Sequence, residues 1–140
     1  MKRILLLSDT HGHLDERILH YCSEADEIWH AGDVGNFDVI ETLEKIKPLR
    51  GVYGNIDGDK VRRVFPEVNR FKCEDVDVMI THIAGRPEKY VPAVKRVMAT
   101  DPPRVLICGH SHILLVKFDQ RSEEHTSELQ SRFGISYAVF

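Results

Sequence analysis

Apolar positions fall along this chain in short unbroken runs, each followed by glycine or a polar cluster, with helix-spaced apolar residues between them. Ile4 to Leu7 is short enough to be a buried strand, and Leu14, Ile18, Leu19 and Cys22 then recur at helical spacing. Ile28 to Ala31 reads as a second strand. Asn36 is placed to cap a helix whose inner face is Phe37, Ile40, Leu43 and Ile46, stopped by Pro48. Leu49 to Tyr53 is a third strand, ended by Gly54. "NRFKCEDVDVMIT" reads differently, as two strands joined by an acidic turn at Glu74 to Asp77, so the sheet becomes mixed there. Pro92 suits the first turn of a helix with Val94, Val97 and Met98 inward. Pro102 and Pro103 end that helix before a strand over Val105 to Cys108, and Ile113 to Phe118 predicts one more, antiparallel to its neighbours. Strands alternating with helices predict the α/β class.

At 140 residues, 42% hydrophobic and 29% charged, the chain is long enough for one domain with its own core. A formal charge of −3 with scattered Lys and Arg gives no sign of nucleic-acid binding. Apolar runs are too short for a membrane span, and "MKRILLLSDTHG" is interrupted by Asp9 too early for a signal peptide, so the expected location is cytoplasmic. Cys22, Cys73 and Cys108 lack metal-type spacing and are expected to be reduced, mostly buried thiols.

The residues that follow the strand-like runs share one chemistry. They are "SDTHG" with Asp9 and His11, "AGD" with Asp33, "YGNID" with Asn55 and Asp57, "ITH" with His82, and "CGHSH" with His110 and His112. In a mainly parallel sheet the loops after the strands' carboxyl ends gather on one edge, so these side chains are expected to converge. Carboxylate, amide and imidazole donors without thiolate suit divalent metals with more than four ligands. With Asp57 set aside as a turn residue, the remaining seven candidates are too many for one ion and fit two ions sharing a carboxylate, about 3.5–4 Å apart with room for a shared hydroxide. Ligands two apart, as in Asp9-Thr10-His11 and His110-Ser111-His112, point the same way from an extended backbone. Gly12, Gly32, Gly54 and Gly109 allow sharp turns beside the ions.

"DTHG", "GD", "GNID", "TH" and "GHSH", in this order, resemble the calcineurin-like metallophosphoesterases, and the short length resembles their small YfcE-type phosphodiesterase subgroup. The resemblance implies a four-layer α/β/β/α sandwich with two mixed sheets. It implies Asp9, His11, Asp33 and His112 on one metal, and Asp33, Asn55, His82 and His110 on the other. The expected cofactors are two divalent ions, manganese first, with iron, zinc or nickel as alternatives. The expected reaction is attack of a metal-bridging hydroxide on a small phosphodiester. Many relatives place a histidine between the Asn and Asp of the third motif; here that position is Ile56, which favours diesters with good leaving groups. Arg86 is a candidate contact for non-bridging oxygens. The alternative is a non-catalytic scaffold on the same fold, similar to the retromer subunit that has lost parts of its metal set.

The other polar residues are expected to be structural: His13, His20 and His30 as structural or solvent-facing, Asp57 as a turn residue with local hydrogen bonds or, alternatively, as a support behind the metal ligands, Asp15 and Glu16 as helix-start chemistry, and Trp29 as core. Residues 121–140, "RSEEHTSELQSRFGISYAVF", break the composition and resemble the in-frame translation of a sequencing-library adapter. The expected division is therefore a metallophosphoesterase domain over 1–120, incomplete at its C-terminus, and a non-native tail over 121–140. The alternative for "SYAVF" is a native closing strand.

Overall fold

The computed structural model describes residues 2–86, 89–109, 114–119, 126–131 and 135–139. Side-chain alternation along β1 (Arg3–Leu7) sets the layering, because Ile4, Leu5, Leu6 and Leu7 are all 0% exposed and can be so only if both faces are covered. Ile4 and Leu6 pack with Trp29, Ala31 and Val52 against Cys73, Val78, Ile80, Val105 and Ile107. Leu5 and Leu7 face the other way, toward helices.

The first sheet has the order β11-β1-β2-β3. Strands β2 (Glu27–His30) and β3 (Leu49–Gly51) continue β1 in parallel, while β11 (Ile135–Val139) pairs antiparallel with β1, Leu5 opposite Tyr137. Its outer face is covered by α1 (Glu16–Glu24), α2 (Phe37–Ile46) and α3 (Asp59–Val64). Asp15 caps α1 by accepting the Ile18 N–H, and Asn36 caps α2 by accepting that of Val39.

The second sheet has the order β10-β9-β8-β5-β4. Strands β4 (Val68–Cys73) and β5 (Val76–Thr81) form the expected hairpin. After the short ribbon β6 (Gly85–Arg86) and β7 (Lys89–Tyr90), α4 (Pro92–Thr100) crosses over so that β8 (Val105–Cys108) lies parallel to β5. Strands β9 (Leu114–Asp119) and β10 (Thr126–Ser131) then add antiparallel. Val94, Val97 and Met98 of α4 cover Met79, Leu106 and Cys108 on the outer face. Helices, sheet, sheet and helix make the expected four α/β/β/α layers.

Between the sheets, the Trp29 ring meets Phe71 edge-on at 4.8 Å, a geometry worth roughly 0.5–1.5 kcal/mol beyond area burial. Its indole N–H donates to Glu27 Oε1 at 2.8 Å, and Arg50 Nε donates to the same oxygen at 2.8 Å. Burial alone would raise the Glu27 carboxyl, yet these donors hold it below its usual value.

Two expectations are corrected. The third strand stops at Gly51 rather than Tyr53, because the Tyr53 N–H turns to the Pro66 carbonyl. The acidic turn is confined to Glu74 and Asp75, with φ of 50° and 66°; both central residues of a two-residue type I′ hairpin turn need positive φ. Asp77 instead lies in β5 and receives a two-pronged contact from Arg70, at 3.1 and 2.7 Å. Helix α3 and the β6–β7 ribbon are additional elements. The three cysteines are free and buried, and burial pushes the thiols of Cys22 and Cys108 up to about 11 and about 12. Among the described residues, no helix is long and apolar enough to cross a membrane.

Candidate metal centre

The loops after β1 and β2 are laced together before they present any side chain. Asp9 N–H donates to Gly32 O, His11 N–H to Asp33 O and Gly12 N–H to Val34 O, at 2.9, 3.0 and 2.7 Å. Asp9, His11 and Asp33 all adopt positive φ, at 56°, 50° and 56°. Such backbone costs roughly 1–3 kcal/mol per non-glycine residue and persists where neighbouring bonds over-determine it. The extended Asp9-Thr10-His11 segment expected from the spacing is thus corrected: a left-handed turn brings both side chains to the same place.

Their ligand atoms converge with one from the second sheet. Asp9, Asp33 and His82 each offer an atom within 4.8 Å of the other two. His82 Nε2 lies 3.2 Å from Asp33 Oδ2 and 3.9 Å from Asp9 Oδ1; His11 Nε2 lies 3.6 and 4.0 Å from the same two oxygens. The carboxylates are almost fully buried, whereas His11 is 39% exposed.

Each group is aimed by its other end. Ser8 Oγ donates to Asp9 Oδ2 at 2.8 Å, leaving Oδ1 toward the centre, buried and without a hydrogen bond among the described residues. Ile56 N–H donates to Asp33 Oδ1 at 3.2 Å, which turns Oδ2 inward. His82 Nδ1 bonds the Ala31 carbonyl at 2.8 Å as donor, so Nε2 is the inward atom. Gly32, at φ 98°, is where that ring passes: a Cβ would come within 2.6 Å of His82 Nδ1. Gly54 has a different role, since a Cβ there would overlap Asp33 itself.

Two buried carboxylates this close repel unless positive charge lies between them. The convergent oxygens and imidazole nitrogens, the aimed carboxylates and the orphaned Asp9 oxygen fit a divalent cation. Asn55 lines a cavity of about 260 Å³ with His82, Tyr53 and Arg62. His110 and His112 lie outside the described residues. Gly109, just before them, is described: it donates to the His82 carbonyl at 3.0 Å, and its Cα backs onto Ser8 and Asp9. Arg86 has its backbone in β6, and its side chain lies outside the described residues.

The calcineurin-like phosphoesterase superfamily domain matches residues 1–127 of the chain. The chain belongs to that superfamily. Solved structures with the same fold include the Thermotoga maritima protein TM1076, at TM-score 0.66 and 24% identity over 94% of this chain and 100% of that one. They also include vacuolar protein sorting 29 of Cryptosporidium parvum, at TM-score 0.63 and 13% identity over 93% and 97%. A third is Entamoeba histolytica Vps29 complexed with zinc, at TM-score 0.62 and 11% identity over 94% and 99%. The ribosomal protein uS4 of Parvibaculum lavamentivorans is 32% identical over 73 residues. That stretch is 52% of this chain and 35% of uS4, too little to show a shared family. Phosphoesterases of this superfamily generally bind divalent metals, in keeping with the Asp9, Asp33 and His82 cluster.

Three residues outside the expected ligand set shape this superfamily site. His30, fully buried, accepts from Gly32 N–H at Nδ1 (3.1 Å), so Nε2 donates to Thr10 Oγ1 (2.9 Å), whose hydroxyl donates on to Val34 O (2.9 Å). Burial pushes the His30 imidazole down to about 4 and keeps it neutral. Asp57 does more than cap its own turn, accepting from Gly54, Val34 and Gly35 N–H at 2.7, 3.1 and 2.9 Å. The signal for Thr10 was its place between two candidate ligands, and that for Asp57 its place among the residues expected to converge; the reach of His30 into the neighbouring loop had no sequence signal.

Proposed function

We propose that the chain is a divalent-metal-dependent phosphodiesterase, with Asp9, His11, Asp33, Asn55, His82, His110 and His112 holding two metal ions and Asp33 shared between them. The observation that carries the reading is the meeting of Asp9 Oδ1, Asp33 Oδ2 and the nitrogens of His11 and His82 from two different sheets. Bound there, divalent cations supply Lewis acidity toward phosphoryl oxygens and lower the pKa of water. The chain's own contribution is orientation: Ser8 fixes Asp9, Ile56 N–H fixes Asp33, and the Ala31 carbonyl fixes the tautomer of His82. Manganese is the first candidate metal, with iron, zinc and nickel as alternatives, and a small phosphodiester is the expected partner in the cytoplasm. Ile56, 46% exposed, offers no proton to a departing oxygen, which favours esters whose alcohol leaves readily.

The test is release of p-nitrophenolate from bis(p-nitrophenyl) phosphate with Mn²⁺, by the wild type and by Asp33→Ala. Metal-dependent turnover lost in the variant is the expected result. Equal rates in both proteins sink the proposal. A second reading, a metal-binding scaffold without turnover, is favoured by the hydrophobic Ile56 and by the fold shared with vacuolar protein sorting 29. It predicts stoichiometric metal without hydrolysis of any diester in a panel.

A further inference from the structure

The cavity beside His82 and Asn55 contains a cation that the metal set does not use. Arg62, on α3, lines it together with Tyr53 and Ile83. Its guanidinium is fixed twice. Nε donates to the Asp57 carbonyl at 2.7 Å, and Cζ stacks 4.4 Å from the centre of the Tyr53 ring. Those two contacts hold the planar group without occupying its Nη atoms, and Arg62 makes no ion pair with a carboxylate among the described residues. Glu67 lines the same cavity but lies beyond ion-pair distance.

A pinned guanidinium whose Nη donors are unclaimed among the described residues, opening on the same space as two candidate metal ligands, is suited to an anionic oxygen. We infer that Arg62 is a substrate-positioning residue that binds a non-bridging oxygen of the ester phosphate. This inference rests on the phosphodiesterase reading of the adjacent centre. Asp57 is then shared by the two functions, since its carboxylate braces the Asp33 loop while its carbonyl anchors Arg62. The segment from Asn55 to Arg62 thereby ties the anion contact to the metal loops through a single residue.

The experiment uses the full chain loaded with Mn²⁺ and inorganic phosphate as the probe, followed by calorimetry, with metal content measured on the same samples. Arg62→Gln is expected to weaken phosphate binding by about 10- to 100-fold, the range for losing a charge-assisted contact, while metal content stays at the wild-type value. Arg63→Gln removes the same charge one residue away, outside the cavity lining, and is expected to leave phosphate binding unchanged. Arg62→Lys keeps the charge but loses the planar fork and the Nε bond; it is expected to fall between, and it is the variant read if Arg62→Gln does not fold. Wild-type phosphate affinity in both Arg62 variants, with metal retained, overturns the inference and leaves the phosphodiesterase reading intact. A wild-type protein that takes up no metal removes the phosphodiesterase reading and this inference with it.

Discussion

Asp33 and Asp57 hold each other's loops. Asp33 Oδ1 accepts the Ile56 N–H, while the Asp57 carboxylate accepts the N–H groups of Val34 and Gly35 as well as that of Gly54. Neither loop can move without unpairing buried donors of the other. Asp57→Asn keeps the shape but replaces one accepting oxygen with a donor. We expect it to lower unfolding free energy by about 1–3 kcal/mol in urea titration and to weaken metal binding by about 10-fold or more.

Asp9 contributes a buried oxygen that no hydrogen bond satisfies among the described residues. In metal-free protein Asp9→Asn relieves repulsion with Asp33, so its thermal midpoint is expected above that of the wild type. Saturating Mn²⁺ should reverse the order, because a ligand of the native state stabilises in proportion to its affinity, by roughly 2.7 kcal/mol at a hundred times Kd. Differential scanning calorimetry with and without Mn²⁺ reads both signs.

His30 titrates at about 4 in the folded protein, against an ordinary value of 6.5. Below 6.5 the unfolded chain therefore takes up a proton that the native state refuses. The stability His30 contributes is complete above 6.5 and is lost as pH falls from 6.5 toward 4, by on the order of 3 kcal/mol if the whole shift is realised. His30→Gln should flatten the stability-against-pH curve over that window; a slope identical to wild type would refute the assignment.

Gly54 faces Asp33 with no room for a side chain. Gly54→Ala is expected to displace the carboxylate and cost at least about 1–3 kcal/mol, the range for overpacking. Metal uptake should fall with it, measured by plasma mass spectrometry on dialysed protein.

Residues 135–139 close the first sheet against β1 along five residue pairs. Ending the chain at Gln120 leaves β1 as an open edge, and we expect a lower melting temperature and concentration-dependent aggregation by light scattering. An unchanged melting temperature would instead support the adapter-like, non-native reading of residues 121–140.

Local signals carried well from sequence to structure. The unbroken run Ile4–Leu7, the Asn36 cap, the Pro92 helix start and the β4–β5 hairpin each follow from neighbours a few residues away. Helix α3 was illegible for the same reason. It is six residues long, buries only Val61, and has Gly58 at its N-cap, which offers no side-chain cap. Asp9, His11, Asp33 and His82 could be expected to meet because strand ends gather on one edge. The left-handed backbone at Asp9, His11 and Asp33 depends on bonds between the β1 and β2 loops and carries no periodicity to read. The same holds for Arg62, whose place is fixed by the carbonyl of Asp57.

Asp33 hangs from the first sheet and His82 from the second, so the 3.2 Å between them spans the seam of the sandwich. A cation held there acts as a rivet through both layers. Its affinity becomes a gauge of how the two halves register: a methyl group trimmed from Ile80 or Val52, buried in the seam and not itself a donor, should be felt as looser metal.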